Sequence, residues 1–262
     1  MINQEMSPRL AKASQIAAQA AELALNYFNR RDEIQVSSKK VQDFVSQADV
    51  AVEQFIRAQL AEHFPQDAII GEELGGTLTD AACWVIDPID GTSNFLRGSP
   101  LWGVSLGLVE GKKPVIGVVA LPVLNEQFAA EDGKGIFLNG EPFTRDNRFG
   151  DVQILSLGDS SDDRLDDAAS FYQGLRAADW SVQCYRCTTV GMVFAAKGVI
   201  DGHLQRRTTL WDIAGGAVLC QEAGLETVVS FGDEGIRGLS VASGTASLMS
   251  TVRGLWDLKP RD

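Results

Sequence analysis

Histidine is nearly missing from this chain: only His63 and His203 occur in 262 residues. Neither stands beside a serine or cysteine element, so Ser-His-Asp nucleophilic catalysis is not expected. Cysteine is sparse too. Cys184 and Cys187 form a single CxxC, without a second pair or a histidine cluster, which speaks against zinc, and a dithiol redox pair is not expected. No glycine-rich segment ends in Gly-Lys-Ser/Thr, which excludes a nucleotide-triphosphate loop. Basic residues are outnumbered, 23 against 35 acidic, for a net charge of −12. That balance opposes a nucleic-acid partner, because phosphate backbones reward basic surfaces. It does not oppose a small phosphorylated molecule whose site is screened by cations. A basic-then-apolar leader, an apolar run of membrane length, low-complexity tracts and internal repeats are all lacking, so a cytoplasmic enzyme without a membrane partner is expected.

What is present reads as α/β. Ser7-Pro8 starts a helix over about 8–30, with Ile16, Ala20, Leu23 and Tyr27 at helical spacing. Ser46 can cap a second helix with a buried stripe of Val52, Phe55, Ile56 and Leu60, ending before Pro65. Short apolar runs at 68–70 and 83–86, then strand-like segments near 102–110, 114–121, 126–131 and 136–138, read as a largely antiparallel sheet with both helices on one face. Asn139-Gly140 closes a hairpin. After Gly150 strand and helix alternate: strands near 154–157, 181–184 and 199–204, helices near 163–177, 188–197 and 212–223, the last beginning at Asp212. The expected division is residues 1–150, an N-terminal α+β half, and 151–262, a C-terminal α/β half.

The densest chemical signal is Trp84-Val-Ile-Asp87-Pro-Ile-Asp90-Gly-Thr92-Ser-Asn-Phe95. Asp-Pro and Asp-Gly form ordinary turns, and Glu72-Glu73 and a helix-start Asp212 are common in solvated loops and caps. Here, however, an apolar strand ends in two acids beside open backbone N–H groups, and like charges so concentrated repel unless cations neutralise them. Hard, oxygen-seeking Mg²⁺ suits such a site, with water or substrate phosphate completing its coordination.

With Gly71-Glu72-Glu73, Asp87-Pro88-Ile89-Asp90-Gly91-Thr92, Trp211-Asp212-Ile213-Ala214-Gly215-Gly216 and the weaker Asp43–Asp49 element in this order, the chain resembles the inositol monophosphatase family across essentially its whole length. The resemblance implies a layered α-β-α-β-α fold shared with fructose-1,6-bisphosphatase, a homodimer, and lithium-sensitive hydrolysis that uses two to three Mg²⁺ ions. It implies that Glu72, Asp87 and the Ile89 carbonyl bind the activating ion, that Asp87, Asp90 and Asp212 bind a second, and that Glu72 holds a weaker third. Asp49 and Thr92 match a pair beside the nucleophilic water, with Glu72 an alternative proton acceptor, while Gly91 and Thr92 direct N–H groups at phosphate. The resemblance further implies that Asp212 faces the substrate.

The specificity region departs from the family pattern. Arg186-Cys187-Thr188-Thr189 replaces a glycine followed by small residues, and Gln205, followed by Arg206 and Arg207, stands where many members carry a glutamate that binds inositol hydroxyls. Those arginines could equally be surface residues. If Arg186 contacts substrate, its guanidinium favours a second phosphate or carboxylate and disfavours a cationic amine, while Gln205 can still hydrogen-bond a polyol. Inositol 1-phosphate is the reference substrate; histidinol phosphate, sugar phosphates or bisphosphates and adenosine 3′,5′-bisphosphate are alternatives, and a non-catalytic regulatory role is the contrasting one.

Overall fold

Ser7 opens the first helix as its position implies. Its hydroxyl accepts from the Leu10 amide at 3.1 Å, and α1 (Pro8–Asn29) buries Leu10, Ile16, Ala20 and Ala24. The structure, a computed structural model, describes residues 5–33, 36–40, 43–146, 148, 151–160 and 164–256. A hairpin of β1 (Val36–Lys40) and β2 (Asp43–Ser46) follows, so the Asp43–Asp49 element enters as a strand before the helix begins. Ser46 caps α2 (Gln47–His63), and Asp49 Oδ2 accepts from the Ser46 amide at 2.8 Å, a capping box. The buried stripe of α2 needs one correction: Val52, Ile56 and Leu60 are buried, but Phe55 is only partly so, and Glu53 is fully buried.

The next segment forms a seven-stranded sheet of β3 (Ala68–Gly71), β4 (Cys83–Asp90), β5 (Gly103–Glu110), β6 (Lys113–Leu121), β7 (Glu126–Glu131), β8 (Gly135–Leu138) and β9 (Glu141–Pro142), in that spatial order. Only β3 and β4 run parallel. Asn139 and Gly140 both take positive φ, 50° and 88°, as the two-residue hairpin turn demands. A short helix, α3 (Thr92–Leu96), leaves the end of β4.

Alternation along the strands splits the core. Trp84, Ile86, Val104 and Val118 pack against α1 and α2, while Val85, Val109, Val119 and Phe128 pack against α5 (Thr188–Lys197) and α6 (Leu210–Glu222). A Cβ on Gly117 would lie 2.1 Å from the Gly215 carbonyl oxygen, so α6 rests directly on the sheet backbone.

A second sheet runs β11-β10-β12-β14-β13, built from β10 (Ile154–Gly158), β11 (Ser181–Gln183), β12 (Gly202–Thr208), β13 (Glu226–Gly232) and β14 (Gly235–Gly244). Its outer face is covered by α4 (Leu165–Ala177) and α7 (Ala246–Leu255) around Leu155, Phe171, Leu204 and Leu248. The result is the expected five-layer α-β-α-β-α sandwich. Two boundaries move: β12 spans 202–208 rather than 199–204, and α6 begins at Leu210 rather than Asp212. Residue 163, the expected start of α4, and residue 150, the expected division, lie outside the described residues. Among the described residues no helix is long and apolar enough to cross a membrane.

Candidate active site

β4 and β5 are out of step where the two acids of β4 stand. Asp87 pairs with Ser105 and Asp90 with Gly103, so three steps on β4 match two on β5. In a regular strand residues i and i+3 point to opposite faces; the extra residue of this bulge, at Pro88-Ile89, brings Asp87 and Asp90 to one cavity. That cavity, about 570 Å³, is also lined by Glu72 from the end of β3 and Asp212 from the first turn of α6. Asp212 is the third residue of its helix, and its Oδ2 accepts from Thr208 Oγ1 at 2.7 Å and the Thr209 amide at 3.2 Å. Asp90 Oδ2 accepts from the Thr189 amide, at the start of α5, at 2.5 Å.

Burial sets the electrostatics. The Asp87 carboxyl is pushed well above the usual carboxylate range by desolvation, then by the neighbouring charges of Glu72, Asp90, Asp212 and Asp49. Asp90 rises to about 6, first through desolvation and then through Asp212, against the lowering bond from Thr189. Asp212 is raised by burial despite its threonine donors. Asp87 Oδ1 is buried without a hydrogen-bond partner. Among the described residues no three His, Cys, Asp or Glu side chains are gathered tightly enough to enclose an ion as they stand; the acids share a cavity wall rather than a closed cage. An unpartnered carboxylate oxygen and acids that raise each other's proton affinity are nevertheless the donor chemistry that a hard divalent cation satisfies.

Asp49 and Thr92 meet, although they are far apart in sequence. Thr92 Oγ1 lies 3.4 Å from Asp49 Oδ1 and 3.1 Å from the Ile89 carbonyl, so its proton is held inside the chain. Gly91 adopts φ 85°, and a Cβ there would come within 3.0 Å of Cys187 Cβ and 3.1 Å of the Leu101 carbonyl, so the turn before α3 admits only glycine without strain. Asn94 Nδ2 donates to the Leu101 and Tyr185 carbonyls at 2.7 and 2.8 Å, tying α3 to the segment before α5.

Arg186 and Gln205 line the same cavity. Arg186 sits at φ 56°, rare for a side-chain-bearing residue, and donates to Asp159 Oδ2 at 2.8 Å, so its charge arrives paired. Arg206 turns away to the Asp167 carbonyl and the Phe171 ring, and Arg207 pairs with Glu234. One sequence reading is corrected. His203 does stand beside a serine: Ser156 Oγ is 2.6 Å from its Nδ1, because the parallel pairing of β10 and β12 sets the two residues side by side. The far nitrogen, Nε2, faces Gln205 Oε1 at 3.3 Å, not a carboxylate, so no Ser-His-Asp relay forms. Burial lowers the His203 pKa to about 4.

Sequence reasoning also missed Glu53, whose carboxylate accepts from Arg57 Nε at 2.7 Å, the Glu73 amide at 2.8 Å and the Leu74 amide at 3.1 Å. It thereby fixes the turn that carries Glu72. A charged residue on the apolar stripe of α2 was the available signal. Arg237, on β14, was missed as a lining residue, and nothing in its neighbourhood marks it.

Comparison with known proteins gives a match to the inositol monophosphatase family over residues 5–253. Inositol monophosphatase 3 of Solanum lycopersicum is 37% identical over 203 residues, covering 72% of this chain and 74% of that protein. The histidinol-phosphatase of Streptomyces coelicolor is 34% identical over 231 residues, with 82% and 84% covered. Among solved structures, the extragenic suppressor protein suhB from Bartonella henselae superposes with a TM-score of 0.83 at 26% identity, over 95% of this chain and 98% of that one.

Proposed function

The chain belongs to the inositol monophosphatase family, and from that premise we propose that it is a Mg²⁺-dependent phosphomonoesterase acting on a small phosphorylated alcohol, with inositol 1-phosphate as the reference substrate. The observation that carries the reading is the bulge that turns Asp87 and Asp90 into one cavity with Glu72 and Asp212. Glu72, Asp87 and the Ile89 carbonyl would hold an activating Mg²⁺, Asp87, Asp90 and Asp212 a second, and Glu72 a third. When bound, Mg²⁺ supplies the charge and Lewis acidity that let water act as a nucleophile at neutral pH.

The chain's own groups supply position and proton handling. The Thr92 hydroxyl commits its proton to Asp49 and Ile89, so toward the cavity it can only accept, which orients a water molecule with its lone pair free to attack. Asp49, whose Oδ2 is engaged by Ser46, keeps Thr92 in that role through Oδ1, and Glu72 is the second candidate to take the proton. First-turn amides of α3 have no helical partner and stand where they can donate to the phosphate, with Gly91 setting their direction. We read the working form as a cytoplasmic homodimer. The test is phosphate release across inositol, histidinol, sugar and nucleotide phosphates with Mg²⁺, with and without Li⁺; release from none of them would reject the proposal.

A further inference from the structure

Three arginines line the cavity along with the acids: Arg186, Arg207 and Arg237. Two of them bring a carboxylate along. Arg186 pairs with Asp159 at 2.8 Å and Arg207 with Glu234 at 2.5 Å. Arg237 differs: among the described residues it makes no ion pair with a carboxylate, and its guanidinium lies over the Trp211 ring, 4.8 Å from the centroid. Stacking occupies the flat face of a guanidinium and leaves its in-plane N–H groups for an acceptor. Trp211 directly precedes Asp212, so this cation is anchored beside the acidic cluster itself.

A second observation rests on different residues. Gln205 Nε2 lies 3.2 Å from the Arg207 carbonyl, which can only accept; this fixes which end of the amide is nitrogen. Gln205 Oε1 then takes the Thr188 hydroxyl at 2.7 Å and faces His203 Nε2 at 3.3 Å, which must be the protonated ring nitrogen. The other ring nitrogen, Nδ1, is therefore an acceptor, and Ser156 donates to it at 2.6 Å. Space for the chain is built in. A Cβ on Gly158 would lie 2.4 Å from Gln205 Oε1, and one on Gly191 2.4 Å from His203 Nδ1. Both lone pairs of Gln205 Oε1 are thus spent, and the side chain has a single N–H left to offer. Within this Gln205–His203 cluster the acceptors that remain are the lone pairs of the Thr188 and Ser156 hydroxyls, weaker than a carboxylate toward a substrate hydroxyl or ammonium, and the neighbouring Asp159 carboxylate is engaged by Arg186.

From these two features we infer that the preferred substrates carry, besides the scissile phosphate, a second anionic group such as another phosphate or a carboxylate. Arg237 is the residue that recognises it, and His203 acts as a positioning residue that holds Gln205 as a donor. The inference rests on the phosphatase reading above and narrows it to bisphosphates and phosphorylated acids. Arg186, neutralised by Asp159, contributes less than Arg237.

The experiment compares D-myo-inositol 1,4-bisphosphate with D-myo-inositol 1-phosphate, which differ only in the second phosphate, using the full chain with Mg²⁺. The expected kcat/KM favours the bisphosphate by about tenfold, the scale of one charge-assisted contact. Arg237→Met lowers kcat/KM for the bisphosphate about fivefold more than for the monophosphate, through KM, the figure being reduced for solvent screening of an exposed guanidinium. Arg237→Lys, which keeps the charge but loses the planar stack, falls between, and Arg186→Met has a smaller differential effect than Arg237→Met. Binding of the bisphosphate to an Asp90→Asn background, followed by calorimetry, gives a readout without turnover and weakens on adding Arg237→Met. Equal kcat/KM for the two substrates, or equal losses in Arg237→Met, overturn this inference and leave the phosphatase reading standing. Release of phosphate from neither substrate, nor from any other phosphate monoester tried, overturns the phosphatase reading itself.

Discussion

Replacing Asp90 by asparagine should make the metal-free protein more stable while abolishing its chemistry. Asp90 is buried, and its pKa stands at about 6 against 3.8 for the ordinary side chain. At pH 7.5 the folded chain must therefore carry a buried carboxylate that the unfolded chain ionises more easily. Two pKa units correspond to about 3 kcal/mol, an upper value for what neutralising the site returns. The asparagine oxygen can still accept from the Thr189 amide, so the bond that anchors the strand end to α5 survives. For a chain of this size the gain amounts to a melting temperature roughly 5–10 °C higher in EDTA. In Mg²⁺ the order should reverse, because the wild type gains binding energy that the variant has lost. The assay is thermal denaturation of both proteins in EDTA and in excess Mg²⁺, paired with phosphate release. An EDTA melting temperature unchanged or lowered in Asp90→Asn would refute the electrostatic reasoning, and retained Mg²⁺-dependent release would refute the metal assignment.

Other perturbations follow from the same geometry. His203 has its pKa lowered to about 4 from 6.5, so its proton binds the unfolded chain first; its contribution is intact above pH 6.5 and is lost as pH falls toward 4, about 3 kcal/mol in all. The stability gap between wild type and His203→Asn, measured by urea denaturation, should therefore shift in favour of the variant across that window, and a pH-independent gap would contradict it. Glu53→Gln leaves one of three donors without an acceptor, costing about 3 kcal/mol and, by loosening the turn at Glu72, raising the Mg²⁺ concentration for half-maximal activity. Identical Mg²⁺ titrations would show that Glu53 serves the fold alone. Gly91→Ala should cost about 1–3 kcal/mol of stability for its positive φ and, by shifting the amides of α3, about tenfold or more in phosphate release; normal kinetics would remove Gly91 from the phosphate site.

The acids of the site were legible because their signal is local. An apolar strand running into Asp87-Pro-Ile-Asp90 shows both carboxylates within one stretch of chain, whereas the bulge at Pro88-Ile89 that aims them at one cavity depends on pairing with β5 and read only as a turn. The five layers were legible for a similar reason, through hydrophobic periods of two and 3.6. What escaped depends on partners distant in sequence. Ser156 and His203 are 47 residues apart and meet only through strand register. Arg237 reaches Trp211 across the β12–β14 pairing, where Thr208 faces Leu239. The start of α6 was misplaced because aspartate was read as the cap itself, whereas Asp212 closes the box from the third helical position. β12 was placed early because Gln205-Arg-Arg-Thr208 lacks apolar residues; that end of the strand borders the cavity instead of the core.

If buried carboxylates hold Mg²⁺ for phosphomonoester hydrolysis, turnover depends on the ion and on Asp90 together. The most direct measurement is phosphate release from inositol phosphates by EDTA-treated protein titrated with Mg²⁺, wild type beside Asp90→Asn. That dependence requires no release without the ion, saturable recovery in the wild type and none in the variant. Full-rate release in EDTA, or equal recovery in both proteins, would contradict it.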